Sequence, residues 1–401
     1  MRILFVDDEP NILSGLRRIL RPLRDEWQME FCDGGEAALA SLSITPCDVI
    51  VSDMKMPGMD GAQLLSAVQE RFPESIRIAL SGQTDSHMIY RCIQHAHQYL
   101  AKPCDPDKLL AAVRRAFTLR DLVQNDALKC VVSNLSSLPS LPEQYQKIMQ
   151  ELQSEEPSLQ KVAEIIESDV AMSAKILQLV NSAFFGLARH LSSPAEAAMY
   201  LGVDVIKSLV LTTGVFSQFD DSKIDLESLK SIWNNSNQVG SLAKQIFLEE
   251  TADKTSADYA LMGGLLANVG KLVIAANFPE QFLQITQTET TNERPEWHVE
   301  RDIVGHSHAE IGAYLIGIWG LPNPVIECVA YHHVPADCIE AGFTPLTAVH
   351  AATAIVDGNG GNDLPGLDED YIAKLSLMAK VPEWVKLHNE IDAADRESRD
   401  E

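Results

Sequence analysis

The stretch ILFVDD at residues 3–8 decides the fold of the first third of the chain, because it joins an apolar strand directly to two acidic residues. A second apolar run, VIVS at residues 49–52, leads in the same way into Asp53. Further strand-like runs end at Ser81 and at Lys102. If these runs are neighbouring parallel strands, their ends meet at the carboxyl edge of one sheet, where open α/β folds bind ligands.

Three acidic side chains, Asp7, Asp8 and Asp53, are thereby predicted to lie at one sheet edge. Carboxylates held close together repel one another unless a cation shares the site. A purely structural role for the cluster would therefore destabilise the fold. Transfer of a phosphoryl group to a carboxylate needs such a cation, together with a fixed positive group on an equatorial oxygen. The pattern therefore indicates a metal-assisted phosphoryl-acceptor site.

Strand and helix patterns alternate through this part of the chain. Apolar residues at helical spacing separate the strand-like runs, which cover residues 3–6, 29–32, 49–52, 76–80 and 98–101. Such alternation predicts an α/β doubly wound, five-stranded parallel sheet with crossover helices.

Four motifs give this part of the chain a close resemblance to the receiver domain of bacterial two-component response regulators. They are VDDEP at residues 6–10, DMKMPGMDG at 53–61, SG at 81–82 and YLAKP at 99–103. The resemblance covers residues 1–120 without a gap. It implies a flavodoxin-like receiver domain over that range.

The resemblance also implies a role for the acidic edge. Asp53 matches the phosphorylated aspartate of the family. The expected cofactor is Mg²⁺, held by Asp7, Asp8, Asp53 and the backbone carbonyl of Lys55. Magnesium suits such a site because it is a hard, octahedral cation that accepts a few carboxylate oxygens and keeps several waters.

A switch is implied by the same resemblance. Lys102 would pair with the phosphoryl group, Ser81 would donate its hydroxyl to it, and Tyr99 would turn inward together with Ser81. Phosphorylation adds a dianion, so this rearrangement would reshape the surface at residues 87–101. We expect the change to pass into the helix that follows Pro106.

Prolines mark the passage to a second region. A predicted helical connector at residues 121–137 ends in the run LSSLPSLP at 135–142. From residue 138 to 350, apolar residues recur at helical spacing and strand patterns are sparse, which predicts an all-α domain. Residues 351–401 are predicted to form a C-terminal helical extension with a charged tail.

The second region resembles the HDOD family, a non-catalytic branch of the HD phosphohydrolase superfamily. An ordered run of motifs carries the resemblance: LPSLP at 138–142, VNSA at 180–183, YLG at 200–202, LLANVGK at 265–271, and HAEIG at 308–312 leading to HH at 332–333. The resemblance implies an HD-like helical fold.

Catalytic relatives of this family use a His-Asp pair and further histidines to hold the metals that activate water. At the matching place this chain has Ala267 and Asn268. The helix around residues 233–239, where an earlier histidine is usual, has Asn235 and no histidine. Alanine has no ligand atom, and neutral asparagine is a poor substitute for a bridging carboxylate. We therefore expect no catalytic residues and no cofactor in the HDOD domain.

Three histidines survive in this residual HD-like pocket, namely His308, His332 and His333. Two alternatives to a non-catalytic output remain open. One is an HD-type phosphohydrolase or cyclic-di-GMP phosphodiesterase with non-standard ligands. The other is a module that binds a second messenger without cleaving it.

Composition bounds the class of protein. The 401 residues suffice for two or three domains, and the formal charge of −25 argues against a nucleic-acid-binding surface. Seven cysteines without a C-x-x-C pair suit reduced thiols in a cytosol. No secretory signal is visible, and the apolar segment at residues 259–278 contains two asparagines and a lysine, so it predicts a core helix rather than a membrane span.

Together these features predict a cytoplasmic response regulator controlled by phosphorylation. Its expected partners are a sensor histidine kinase or phosphotransfer protein and a downstream protein that the sequence does not name. Homodimerisation through the receiver surface or the connector is compatible with the sequence. Direct contact with nucleic acid or membrane is not expected.

Overall fold

The structure is a computed structural model, and everything below concerns the residues that it describes. These are residues 2–82, 95–102, 104–122, 126–135, 139–140, 142–154, 156–181, 191, 193–203, 205–206, 217–218, 226–289, 294–338, 342–361, 363–364 and 366–400.

A five-stranded parallel sheet forms the N-terminal domain, with strand order β2-β1-β3-β4-β5. The strands are β1 Arg2–Val6, β2 Gln28–Cys32, β3 Val49–Asp53, β4 Ile76–Gly82 and β5 Gln98–Lys102. The inner strand β3 is buried along its whole length, as expected when helices cover both faces of a parallel sheet. The predicted fold class of this domain is confirmed.

Helices lie between and after these strands. They are α1 Pro10–Leu20, α2 Gly35–Ile44, α3 Gly61–Arg71 and α4 Pro106–Leu122. The acidic motif itself starts α3, because Asp60 and Gln63 form a capping box at its first turn. The chain reverses tightly here, and a Cβ atom on Gly61 would lie 2.2 Å from the carbonyl oxygen of Asp53. Glycine is therefore required beside the acidic edge.

The rest of the described chain is almost entirely helical. Two short segments, β6 Pro139–Ser140 and β7 Ser217–Gln218, pair in parallel. The helices are α5 Asp126–Asn134, α6 Pro142–Gln153, α7 Leu159–Glu167, α8 Val170–Val180, α9 Pro194–Leu201, α10 Leu226–Glu250, α11 Lys254–Leu266, α12 Val269–Asn277, α13 Pro279–Glu289, α14 Glu296–Val304, α15 His308–Ile318, α16 Asn323–Tyr331, α17 Pro345–Asp357, α18 Glu369–Lys374 and α19 Val381–Asp400. The predicted all-α character of this region is confirmed.

One segment, Lys254–Asn277, is long and apolar enough to cross a membrane by length and composition, and it is the only such segment among the described residues. It comprises α11 and α12, and 78% of its apolar window is buried inside the protein. This burial is typical of the core helices of a globular domain.

The sheet domain and the helical domain share one interior. Buried apolar side chains of β1, β3, α4 and α15 belong to the same continuous cluster. At its border, Gln98 Nε2 donates to the carbonyl oxygen of Gly317 at 3.4 Å, and Arg115 donates to that of Leu321 at 3.3 Å. A second cluster lies among α10, α11, α17 and α19.

A buried polar network crosses the same border. Arg77 of β4 is 1% exposed and donates to the carbonyl oxygen of Ser133 on α5 at 2.6 Å. The same carbonyl lies 2.7 Å from His97 Nε2. The hydroxyl of Ser133 shares a hydrogen bond of 3.3 Å with that of Tyr314 on α15. The two domains are thus joined by hydrogen bonds as well as by apolar packing.

Candidate functional site

The acidic edge lies where three parallel strands end. Asp7 directly follows β1, Asp53 is the last residue of β3, and Lys102 is the last residue of β5. Carboxylate oxygens of Asp7, Asp8 and Asp53 lie within 4.8 Å of one another. The structure therefore places Asp53 beside Asp7 and Asp8, from which it is distant in sequence.

Lys102 bridges two of these acids. Its Nζ lies 2.6 Å from Asp7 Oδ2 and 2.7 Å from Asp53 Oδ1. Burial raises the pKa of Asp53, and the hydrogen bond and charge of Lys102 oppose that rise. For Lys102 itself, burial alone would lower the pKa, but its bonds to Asp53 and Asp7 raise it above the ordinary value. The amine is therefore held in its cationic form.

Backbone groups orient the acids. The N–H of Glu9 donates to Asp7 Oδ1 at 2.9 Å, and the N–H of Lys55 donates to Asp53 Oδ2 at 3.2 Å. Asp7 and Asp53 are buried, whereas Asp8 is half-buried. Hard carboxylate oxygens in this number fit Mg²⁺, which binds a few carboxylates and keeps the rest of its shell as water.

The predicted switch residues lie on the two adjoining strands. Tyr99 on β5 is 5% exposed. Burial lowers the pKa of Arg77 on β4, and the interaction with Tyr99 opposes that fall. Ser81 belongs to β4, but its side chain lies outside the described part of the structure.

A second cluster of metal-binding side chains occurs in the helical domain. His308 starts α15, while His332 and His333 follow α16. His308 Nε2 lies 3.4 Å from His332 Nε2 and 3.1 Å from His333 Nε2. Among the residues that the structure describes, this histidine cluster and the acidic edge are the two groups able to hold a metal ion.

The remaining predicted pocket residues form an amide network. Asn268 donates to Asn235 Oδ1 at 2.9 Å, and Asn235 in turn donates to Asp357 at 2.9 Å. Ala267 is buried beside them and offers no polar side-chain atom. Lys271 interacts electrostatically with Asp357, beside the asparagines, and with Glu300, beside the histidines. This one cation therefore links the amide network to the histidine cluster.

One residue of this pocket, Glu300 on α14, was not identified from the sequence. It is 1% exposed, and its carboxylate lies 2.7 and 2.9 Å from His308 Nδ1. Burial raises the pKa of Glu300 to about 7, while the charge of Lys271 opposes the rise. Nothing in the local pattern distinguishes Glu300 from a solvent-facing acid, because its burial depends on the packing of α14 against α15.

Two family matches cover most of the chain. Residues 3–114 match the response regulator receiver domain, and residues 138–335 match the HDOD domain.

Individual relatives match parts of the chain. An uncharacterized protein of Treponema pallidum (strain Nichols) is 28% identical over 206 residues, which is 51% of this chain and 39% of that protein. The hydrogenase transcriptional regulatory protein HoxA of Cupriavidus necator is 37% identical over 141 residues, which is 35% of this chain and 28% of HoxA. The matched parts thus span less than half the length of either relative.

Two solved structures match parts of the chain. The signal receiver domain of an HD domain-containing protein from Pseudomonas fluorescens Pf-5 is 33% identical and covers 30% of this chain and 96% of its own, with a TM-score of 0.29. The MmoQ response regulator from Methylococcus capsulatus is 21% identical and covers 61% of this chain and 98% of its own, with a TM-score of 0.47. On its two family matches, this chain is a response regulator in which a receiver domain is followed by an HDOD domain.

Proposed function

We propose that Asp53 accepts a phosphoryl group from a sensor histidine kinase or a phosphotransfer protein. The observation that carries this proposal is the convergence of Asp7, Asp8 and Asp53 within 4.8 Å, with Lys102 in contact with two of them. An acceptor anion, a set of oxygen ligands for a cation and a fixed ammonium group are the parts that phosphoryl transfer to a carboxylate requires.

In the proposed step, a carboxylate oxygen of Asp53 attacks phosphorus, and the bond from phosphorus to the donor imidazole breaks. The imidazole leaves, and Asp53 becomes an acyl phosphate. Mg²⁺ held by Asp7, Asp8, Asp53 and the Lys55 carbonyl would supply positive charge against the phosphoryl oxygens. Lys102, already 2.7 Å from Asp53, then needs only a small displacement to pair with the new group.

We propose that the signal leaves the receiver through Tyr99 and the buried network beside it. Ser81 and Tyr99 would turn towards the phosphoryl group, and Tyr99 interacts electrostatically with the buried Arg77. Arg77 bonds to Ser133, which bonds to Tyr314 of the output domain. Each of these two hydrogen bonds joins two different elements, so a shift of Arg77 has a physical path to α15.

The output domain is proposed to act by binding a downstream protein rather than by catalysis. Support comes from Ala267 and Asn268, which the resemblance matches to the His-Asp pair of hydrolytic relatives, and from the neutral hydrogen bond of Asn268 to Asn235. With a formal charge of −25, the partner is expected to be a protein rather than a nucleic acid. We place this function in the cytoplasm.

Labelling of the full chain tests the acceptor. Acetyl phosphate with Mg²⁺ should add one phosphoryl group to the wild type but none to Asp53→Asn, and chelation of Mg²⁺ should abolish the labelling. The matched control is Asp25→Asn, because the side chain of Asp25 is 89% exposed and distant from the edge. Equal labelling of wild type and Asp53→Asn, measured by intact mass, would refute the assignment.

A further inference from the structure

Three imidazole rings meet in the interior of the HDOD domain. His308 and His332 are at most 2% exposed, and His333 is half-buried against Trp297, with ring centroids 5.9 Å apart. Their Nε2 atoms face one another at 3.1 and 3.4 Å. What these nitrogens can do depends on where the ring protons sit.

The partner of His308 Nδ1 defines its tautomer. Nδ1 lies 2.7 Å from Glu300 Oε2, which also accepts the backbone N–H of His308 at 2.6 Å. When Glu300 is ionised it only accepts, so Nδ1 carries the proton. Both carboxylate oxygens lie within 2.9 Å of Nδ1 and hold the ring from this side. Nε2 of His308 is therefore left with a lone pair.

His332 has the same arrangement with a different partner. Its Nδ1 lies 2.9 Å from the carbonyl oxygen of Val329, which also can only accept a hydrogen bond. Its Nε2 is again left with a lone pair. Two lone pairs at 3.4 Å cannot hydrogen-bond to each other, and in a buried site each needs a proton donor or a cation.

The spacing of the nitrogens fits a metal. Zinc binds imidazole nitrogen at about 2.0–2.1 Å in tetrahedral geometry, which places two ligand nitrogens roughly 3.3 Å apart. The two separations in the structure are 3.4 and 3.1 Å. The pocket also contains a carboxyl group beside the rings, because Lys271 forms its ion pair with Glu296 while Glu300 contacts His308.

Surrounding groups hold the rings in place. The carboxylate–histidine pair of Glu300 and His308 is the arrangement that commonly orients a metal-binding imidazole. His350 donates from Nδ1 to the carbonyl oxygen of His332 at 2.7 Å, and its Nε2 accepts the N–H of Asp368 at 2.9 Å. The cluster is thus built from α14, α15, the end of α16 and α17 together.

We propose that one zinc ion binds between the Nε2 atoms of His308, His332 and His333, with Glu300 as the positioning residue. This site is independent of the proposed phosphorylation and differs from the acidic edge in ligand type, since nitrogen ligands favour zinc over Mg²⁺. It holds a single ion, because the neutral pair Ala267 and Asn268 supplies no bridging carboxylate. Its role is to tie the start of α15 to the end of α16.

Metal titration of the full chain tests the site. The protein is stripped with a chelator and titrated with Zn²⁺ in excess Mg²⁺, so that the acidic edge does not compete. We expect one tightly bound zinc per chain, with about 100-fold weaker binding in His308→Gln and His332→Gln. Glu300→Gln should weaken binding about 10–100-fold, as outer-shell partners do. The control is His306→Gln, a histidine two residues before His308 that is not part of the cluster.

The results separate the proposal from a purely structural cluster of neutral histidines. Absence of zinc from the wild type, or equal zinc affinity in wild type and both ligand variants, overturns the site. If the ligand variants fail to fold, the visible absorption spectrum of the stripped wild type with added Co²⁺ tests the site instead. Intense visible bands of a tetrahedral nitrogen site support the proposal, and a spectrum of free aqueous Co²⁺ overturns it.

Discussion

At the scale of single residues, both ends of β5 are held by partners from distant parts of the chain. Lys102 ends the strand between two carboxylates, and His97 directly precedes it in a buried site. The sequence predicts the first arrangement, because Lys102 belongs to a motif. It does not predict the buried site of His97, because the partners of this residue come from β4 and α5, which no local sequence pattern indicates.

The tautomer of His97 is defined by its neighbours. Its Nδ1 accepts the backbone N–H of Arg77 at 3.0 Å, so the proton sits on Nε2, which donates to the Ser133 carbonyl at 2.7 Å. Burial, and then the charge of Arg77, hold the pKa of His97 well below its ordinary value. A second proton would break the bond to Arg77 and place two cations side by side.

This predicts acid sensitivity of folding. In the unfolded chain His97 protonates near its ordinary pKa of about 6.5, whereas the folded ring stays neutral, so the stability contributed by His97 is present above pH 6.5 and is lost as pH falls below it. Urea unfolding at pH 7.5, 6.5 and 5.5 should show wild type losing up to about 1.4 kcal/mol per pH unit more than His97→Gln. Parallel pH curves for the two proteins would contradict the assignment.

At the scale of elements, the strands could be predicted because their apolar runs end in motif residues. The observed strands β1 to β5 contain the predicted runs and extend them by one or two residues, to the ends where the ladder bonds stop. The helix α15 is different. Of its residues only Glu310 is not buried, so its sequence shows no polar face and cannot indicate which neighbour covers which side.

One contact of α15 is unusually close. Gly270 on α12 lies against the first turn of α15, and a Cβ atom there would stand 2.0 Å from the carbonyl oxygen of His308. The two helix backbones approach directly, without side chains between them. The resemblance places Gly270 in a motif, and the structure gives the physical reason for glycine at this position.

Gly270→Ala should therefore force α12 and α15 apart. We expect a loss of about 3 kcal/mol in the free energy of unfolding, at the upper end of ordinary overpacking. The matched control is Gly15→Ala in α1, where a Cβ atom meets nothing within 4 Å. That change should stabilise by about 0.5–1 kcal/mol, as alanine does in a helix interior. Urea unfolding of both variants checks the pair, and equal effects would exclude the close approach.

At the scale of the whole molecule, α15 links two sites. Its first residue, His308, belongs to the histidine cluster, and its far end accepts a hydrogen bond from Gln98 of the receiver through Gly317. An eleven-residue helix spans about 16 Å, so the histidine cluster and the domain border lie one helix length apart. Sequence motifs are sufficient to predict the two domains. The contacts at the border between them join residues distant in sequence, so the sequence does not predict them.

Tyr314→Phe tests whether this border transmits the state of Asp53. It removes one hydroxyl from the bond to Ser133 and should cost about 1 kcal/mol of stability. In wild type, phosphorylation should change amide hydrogen exchange in α5 and α15, and Tyr314→Phe should reduce that change while leaving phosphorylation itself intact. The control is Tyr200→Phe, at a half-exposed tyrosine. If phosphorylation changes hydrogen exchange equally in Tyr314→Phe and wild type, Tyr314 does not transmit the signal.

The shared interior of the two domains also limits how this chain can be recombined. A receiver transplanted from another regulator would present α15 with side chains of other volumes, and close-packed interiors tolerate such mismatches poorly. It would also leave the Ser133 carbonyl without the donors of Arg77 and His97. Natural variants of this chain should therefore change the facing surfaces of α4 and α15 in concert, and a chimera should need both surfaces from one parent.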